Sequence, residues 1–564
     1  MALRMPFTKW TGLTRGALIV SLVMAAPSRA AIMPLQATMM PKLGDPAGPA
    51  AVGDDARAVL AGGPSSEGID TDLPRLRGGG VMHGTVKLNG VWMGDGGVFN
   101  KVDEVREVQV DPMFVDRISD WLPTTMHENP TNWKGAWVSP DESQIDVMYV
   151  NSERAVLKGL KYRQWVRAGP RKELYFDPKE VVAAIVTCGG LCPGLNNVVA
   201  AITDCLHKSY GVKKVYGIQN GYKGFYTREW KEMTRESVRN IHRRGGTILG
   251  SSRGGHDLDK IMEKLIEEGV NQVYVIGGDG THKGANLISK EAARRKIPMA
   301  VCGVPKTIDN DVPFIDKSFG FDTAVQEAVR VIQCAVIEAE DSMQGMAIVK
   351  LMGRECGFVS MFATLATNDV DVCLIPESPF QLDLLFKHCH EVIKQKGHCV
   401  LVVAEGAGQD HFKDLNLGMD PSGNKRLPDI GVFLKEQAKM WMENHQHNDV
   451  EVRYIDPSYQ IRSIPATAAD SVYCNVLGTA IVHGAMAGMT GMSVGMVCGR
   501  YVYIPIDEMC APHRKVHVDT SSRVYNRMLR HTDQPGFLPE DEENQGEAQQ
   551  EAKKGGGLFG FMSG

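Results

Sequence analysis

None of the 12 cysteines stands in a C-x-x-C pair, which removes the spacing of a structural zinc site and leaves them as reduced core or loop thiols. Cys188 and Cys192 share one Gly-rich loop, where a redox switch is the alternative. There is no excess of positive charge either, with 62 Lys+Arg against 67 Asp+Glu. That excludes a polybasic nucleic-acid footprint, so any anionic ligand must be met by locally placed Arg and Lys. The pattern G-x-x-x-x-G-K-[ST] is missing, which excludes a P-loop enzyme; H-R-D and D-F-G are missing, which excludes a protein kinase. Asp and Glu are absent from residues 1–44, which do hold Arg4, Lys9, Arg15, Arg29, Lys42 and an uncharged apolar run at 16–26. This is a signal-peptide or organelle-presequence pattern, too short for a membrane span; an N-terminus without an address is the alternative. Charge is also lacking over 475–499, but Gly, Ala and Ser crowd that stretch. It reads as a helix (476–487), a turn and a strand (493–497), with no stable membrane span.

What is present has a clear texture. Residues 45–87 are rich in Pro, Gly, Ala and Met and read as a flexible linker. Residues 88–180, with Trp121, Trp133 and Trp137, read as a packed N-terminal extension, and 511–564 as a partly disordered C-terminal tail. Between them, 181–510 alternates apolar runs, Gly-rich loops and helical segments: strands at 181–187, 214–218, 273–276, 346–351, 372–375 and 400–404, and helices at 198–206, 321–340 and from about 355. Such repeats imply parallel sheets with functional loops at the strands' carboxyl ends. Their number is too large for one sheet. The expectation is two Rossmann-like three-layer α/β domains with parallel sheets facing a cleft.

The stretches 274–286 (YVIGGDGTHKGAN) and 304–312 (VPKTIDNDV) concentrate the chemistry. Gly277, Gly278 and Gly280 let backbone approach an anion at a helix start. Asp279 offers magnesium a hard oxygen, and Asp309 and Asp311 supply carboxylates beside Lys306 and Thr307. Together they suggest phosphoryl transfer, although such a turn alone also serves dinucleotides or no ligand at all. Gly250-Ser251-Ser252-Arg253-Gly254 satisfies G-x-S-x-G by letter, but Arg253 among glycines suits a phosphate better than a nucleophile elbow.

The ordered motifs CGGLCPGLN, LGSSRGG, GGDGT, PKTIDND, LMGRECGF, AEGAG and YIDPSYQIR resemble the 6-phosphofructokinase family over 181 to about 503. RAGPRKELYFDP (167–178) is similar to its plant and kinetoplastid branch in particular. The resemblance implies a glycolytic kinase using ATP and Mg2+ to phosphorylate the 1-hydroxyl of fructose 6-phosphate. Asp309 would be the proton acceptor, its ionised form favoured by the metal and nearby cations; Thr307 would orient the hydroxyl and Asp311 support the metal's water shell. Asp279 would hold the metal. Gly189, Arg253, Gly254, Gly278, Asp279, Gly280 and Thr281 would bind ATP. Thr307, Ile308, Asp309, Met352, Gly353, Arg354, Glu405, Tyr459, Gln460, Ile461 and Arg462 would bind the sugar phosphate, with Arg354 also catalytic. Arg453 would reach in from a neighbouring subunit, implying a homo-oligomer, dimer or tetramer. The family places such enzymes in the cytoplasm; the N-terminal stretch raises a plastid or mitochondrion instead.

Three positions depart from the bacterial pattern: Gly345 for a second cross-subunit arginine, Tyr459 for a histidine and Lys306 for a glycine. No bacterial effector site carries over. The donor rests on Gly280, where pyrophosphate-dependent relatives carry an Asp that would repel a nucleotide α-phosphate. Lys306 is shared with those relatives and also with the ATP-using plant and kinetoplastid branch, so pyrophosphate stays the rival donor.

Overall fold

Runs such as VAAIVT, QVYVIG and AVCGVP are apolar on both faces, so each must lie inside a sheet covered on both sides. A computed structural model places them there. It describes residues 84–88, 91–93, 99–101, 106–131, 137–139, 143–145, 162–413, 415, 417–419, 425–511 and 514–539. The presequence-like stretch 1–44, Trp133 and most of the expected linker 45–87 lie outside them.

One sheet has eleven strands: β1 (Gly84–Leu88), β2 (Arg106–Met113), β3 (Ser143–Ile145), β4 (Tyr162–Arg167), β5 (Val182–Thr187), β6 (Lys214–Ile218), β7 (Lys231–Glu232), β8 (Gln272–Gly277), β9 (Ala300–Pro305), then, after the strands of the second sheet, β14 (Met492–Val497) and β15 (Arg500–Pro505). Its order is β1–β2–β4–β15–β14–β9–β8–β5–β6–β7, with β3 added on β4. The second sheet orders β11 (Val372–Leu374), β12 (His398–Ala404), β10 (Gly345–Leu351) and β13 (Glu451–Ile455), all parallel. The larger sheet is parallel through β6–β5–β8–β9–β14 and again between β2 and β4; β15 turns back antiparallel on β14 and pairs antiparallel with β4 of the N-terminal extension. The expected parallel α/β pattern holds through the centre, with antiparallel strands added at that edge: hairpin β14–β15 needs only a short turn, whereas a further parallel strand would need a crossover.

Among the described residues the α-helices longer than four residues are α1 (Leu195–Asp204), α2 (Leu258–Glu267), α3 (Asp279–Arg294), α4 (Phe321–Glu340), α5 (Phe358–Thr367), α6 (Leu382–Lys396), α7 (Ile430–Asn444), α8 (Ser458–Ser463), α9 (Ala468–Met486) and α10 (Arg523–Thr532). α4 spans the expected 321–340, while α9 starts eight residues before 476 and α5 three after 355. The uncharged stretch at 475–499 divides into the end of α9, a two-strand ladder and β14, all packed in the core. Among the described residues no helix is long and apolar enough to cross a membrane. In the N-terminal extension, Trp165 on β4 is fully buried and Trp121 packs against the core.

Candidate active site

The carboxyl ends of β5, β8 and β9 in one sheet, and of β10 and β12 in the other, carry the predicted loops. After β5, Gly189 adopts a left-handed φ of 87° and donates its N–H to the Ser252 carbonyl (2.9 Å). Ser251 Oγ returns a bond to the Gly189 carbonyl (2.6 Å). This stitches two Gly-rich loops together and presents Arg253 and Gly254, both exposed. Ser252 Oγ is donated to the Asn220 carbonyl (2.5 Å), an anchoring bond rather than a nucleophile's partner. A methyl placed on Gly190 would lie 3.8 Å from Arg462 Nη1 and 3.9 Å from Arg253 Nη2. Two guanidinium groups therefore converge on one bare patch of backbone, an arrangement suited to phosphate.

After β8, Gly278 caps α3 with Asp279 and Gly280 in its first turn, both exposed, and Thr281 buried behind them. The Asp279 carboxylate accepts from Lys283 Nζ at 2.7 Å and stays half-open to solvent. Among the described residues no cluster of three or more His, Cys, Asp or Glu side chains could hold a metal by itself. A lone exposed carboxylate at a phosphate loop does fit magnesium, which keeps most of its shell for water and substrate phosphates. A side chain added at Gly280 would meet nothing within 4 Å, so the space over the loop is open.

After β9 the chain turns through Lys306-Thr307-Ile308-Asp309-Asn310-Asp311. Lys306 is buried, and its ammonium lies 3.7 Å from where a methyl on Gly189 would sit. Burial pushes its pKa down. Thr307 Oγ1 accepts from the Asp309 N–H (3.1 Å). Burial raises the pKa of Asp311, opposed in part by the Thr307 hydroxyl. Asn310 takes a left-handed φ of 59°, tolerable for Asn, and its Oδ1 accepts from Ser318 N–H (2.8 Å). Asn310 and Ser318 are positioning residues the sequence reading passed over; an Asn between two aspartates in a turn is the signal that was available.

Asp309 Oδ1 is buried and has no hydrogen-bonding partner. Burial, then Asp311 and Glu405, push the Asp309 pKa well above the ordinary carboxylate range, against Lys306 and Arg354. Lys306 and Arg354 both favour the charged form, as expected of nearby cations, but without a metal the desolvation and the two neighbouring carboxylates outweigh them.

From the second sheet, Met352 and Gly353 lead to Arg354, whose guanidinium donates to the Lys425 carbonyl. A methyl on Gly406 would sit 1.9 Å from the Arg354 carbonyl oxygen, so the AEG turn must be Gly there. Burial raises the pKa of Glu405, opposed by Arg354, Lys350 and Arg462. On α8, Tyr459 and Gln460 are exposed, the Arg462 guanidinium lies 5.2 Å from the Tyr459 ring centre, and Ile461 is fully buried. The side chains of Ile461 and Ile308 are thus core anchors and could meet a ligand only through their backbone.

Arg453 is not brought to this cluster. It pairs in register with Ala347, four residues short of the end of β10, and donates to the Glu338 carbonyl (2.6 Å) and to the carboxylates of Glu338 and Glu451. Cys188 and Cys192 are buried free thiols whose pKa burial pushes up to about 12, which argues against a redox pair.

Residues 182–485 match the family model for phosphofructokinase. The chain is 46% identical over 440 residues to ATP-dependent 6-phosphofructokinase 7 of Arabidopsis thaliana, covering 76% of this chain and 89% of that protein. It is 49% identical to the chloroplastic ATP-dependent 6-phosphofructokinase 4 of the same plant, covering 68% and 72%. The crystal structure of a pyrophosphate-dependent phosphofructokinase from Marinobacter aquaeolei aligns with a TM-score of 0.53 at 20% identity, over 64% of this chain and 93% of that one, a likeness of fold alone. With more than half its length matched by the family model and a plant relative covered almost end to end, this chain belongs to the phosphofructokinase family.

Proposed function

We propose that the chain is an ATP-dependent 6-phosphofructokinase, transferring the γ-phosphoryl of ATP to the 1-hydroxyl of fructose 6-phosphate. The products are fructose 1,6-bisphosphate and ADP. One observation carries the residue assignment: the unpartnered, buried Asp309 oxygen where the phosphate loops meet the Arg354–Glu405 pair. A carboxylate so placed accepts the hydroxyl proton as the oxygen attacks phosphorus. Thr307 orients that hydroxyl and Asp311 stands beside it. Arg354 and Arg462 meet phosphate, and Glu405 meets the sugar hydroxyls. Gly189, Arg253, Gly254, Gly278, Gly280 and Thr281 cradle the donor through backbone and charge. Asp279 would hold Mg2+, which supplies charge neutralisation on the donor's phosphates when bound.

The open space above Gly280 supports ATP over pyrophosphate, as do plant relatives named for ATP. Arg453, idle in its own subunit, completes a neighbour's acceptor site in a homo-oligomer. The chloroplastic relative and the composition of residues 1–44 support an organelle address, to be read from a reporter fusion.

The decisive experiment compares ATP and pyrophosphate at saturating fructose 6-phosphate and Mg2+, in wild type and Gly280→Asp. ATP should give the higher turnover, and the variant should lose ATP affinity while its sugar-phosphate KM stays within about twofold, since position 280 touches only the donor. Faster turnover with pyrophosphate than with ATP would overturn the donor assignment.

A further inference from the structure

Lys350 belongs to none of the motifs above, yet it lies at the hub of the acceptor loops. It sits on β10 four residues before Arg354 and is 8% exposed. A lysine this buried needs partners, and it has two: Asp429 Oδ2 at 2.6 Å and Asp456 Oδ2 at 2.9 Å. Burial works against its charge, but the bonds to Asp429 and Asp456 outweigh that and raise its pKa. The Tyr454 ring lies under the ammonium at 5.9 Å, and the Tyr454 hydroxyl donates to the Asp429 carboxylate. The cluster is closed on itself.

What the two carboxylates belong to gives the cluster its meaning. Asp456 follows β13 and accepts from the N–H and hydroxyl of Ser458, the first residue of α8. It therefore sets where Tyr459 and Arg462 begin. Asp429 caps α7, accepting from the N–H groups of Gly431 and Val432. It fixes the end of the segment whose Lys425 carbonyl receives Arg354. Lys350 also acts on Glu405 electrostatically. One ammonium thus ties β10, the start of α7 and the start of α8 into a single frame, and each part of that frame orients one acceptor residue.

We infer that Lys350 is a positioning residue for the sugar phosphate, acting through Asp456 and Asp429 on Arg462 and Arg354 without touching the ligand. A misplacement of about 1 Å can cost on the order of a hundredfold in such a site. Charge gives a second route to the same result. Without the ammonium, the Asp429 and Asp456 carboxylates would stand unneutralised beside the acceptor loops.

The inference rests on the acceptor assignment above, so the test carries a control for each. Lys350→Met should raise KM for fructose 6-phosphate about tenfold or more, with KM for ATP within about twofold. Lys350→Arg, which keeps the charge, should recover most of the loss. Lys350→Met combined with Asp456→Asn restores the charge balance without the tie; if positioning dominates, its sugar-phosphate KM stays high. Thermal unfolding midpoints on all three report folding. A Lys350→Met protein whose two KM values rise together, in step with lost thermal stability, would reduce Lys350 to a structural residue and overturn the inference. The parallel variant Arg354→Met separates the two failures. If Arg354→Met raises the sugar-phosphate KM and Lys350→Met does not, only the inference falls. If neither does, the acceptor assignment falls with it. Recovery of normal KM in the double variant would replace positioning by electrostatics.

Discussion

Asp309 shows what a single residue's surroundings decide. Its carboxyl oxygen is buried without a partner in the protein alone, a costly arrangement that a polar ligand atom would relieve. Asp309→Ser should lower kcat by about 10²–10⁴-fold, the usual contribution of a positioned base, with sugar-phosphate affinity largely retained. The pH profile follows from the raised pKa. A base works only when deprotonated, so kcat/KM falls as pH drops through the pKa of the free enzyme. Burial, Asp311 and Glu405 hold that pKa above the ordinary range, so the acid limb of wild-type kcat/KM belongs well above the pKa of about 4 of a free carboxylic acid. An acid limb at the ordinary value, or near-normal turnover in the serine variant, would remove Asp309 as the base. The identity of this residue was legible in PKTIDND, and its neighbours Arg354 and Glu405 in the resemblance; the burial that raises its pKa was not, because it is set by packing between segments distant in sequence.

At the scale of elements, strands and Gly-rich turns were readable because apolar runs and φ-permissive residues are local signals. Boundaries set by tertiary partners were not. α5 begins at Phe358 rather than 355 because Cys356 and Gly357 are engaged elsewhere: Cys356 Sγ donates to the Asp309 carbonyl (3.2 Å), and Gly357 N–H donates to Glu377 (3.1 Å). α9 begins early because its Asp470, buried and unpromising by hydropathy, accepts from Gly320, Thr323 N–H and the Thr323 hydroxyl at the start of α4. Part of the C-terminal segment is held by tertiary contacts. Val516 N–H donates to the Asp311 carbonyl (3.4 Å), Lys515 pairs with Glu355, and His517 Nδ1 contacts the Glu355 carbonyl (2.8 Å). Beyond them, Val518 N–H donates to the Glu377 carboxylate (2.7 Å), α10 packs on Met361 and Ile375, and Gln534 brackets Cys373 by accepting from its N–H and donating to its carbonyl. This belt passes the Asp309–Asp311 turn and buckles at Glu377, which accepts from the N–H groups of both Gly357 and Val518. Glu377→Ala leaves two buried N–H groups unpaired and should lower stability by about 1–3 kcal/mol. It should lower kcat more than either KM, since the belt holds the Asp309–Asp311 turn. Glu377→Gln keeps the accepting oxygen and should recover most of both. Equal losses in the two variants, read by denaturant melts and steady-state kinetics, would show that the buckle is not a hydrogen-bonding one.

For the whole molecule, the proposed site draws on both sheets: the phosphate loops and the Thr307–Asp309 turn follow strands of the larger one, and Arg354 and Glu405 follow strands of the other. Arg453 extends that division beyond the chain. Its guanidinium is held on a face of β13 by Glu338 and Glu451, away from its own site, with Ile337 and Met343 exposed nearby in sequence on and after α4. If a neighbour's Arg453 completes each acceptor site, a subunit's reacting turn and its arginine serve different sites. Asp309→Ser and Arg453→Ala homo-oligomers should then both be nearly inactive at fructose 6-phosphate concentrations below the wild-type KM. Co-expressed with different affinity tags and purified through both, they should regain activity. In a hybrid pair, the site with intact Asp309 receives its arginine from the Asp309→Ser subunit, while the other site is doubly defective. Half the sites in an isolated hybrid dimer work, or about a quarter of all sites in a random mixture of dimers. Activity in the hybrid no greater than the sum of the two homo-oligomers would place Arg453 in its own subunit's service, and the ion pairs with Glu338 and Glu451 would then be its whole function.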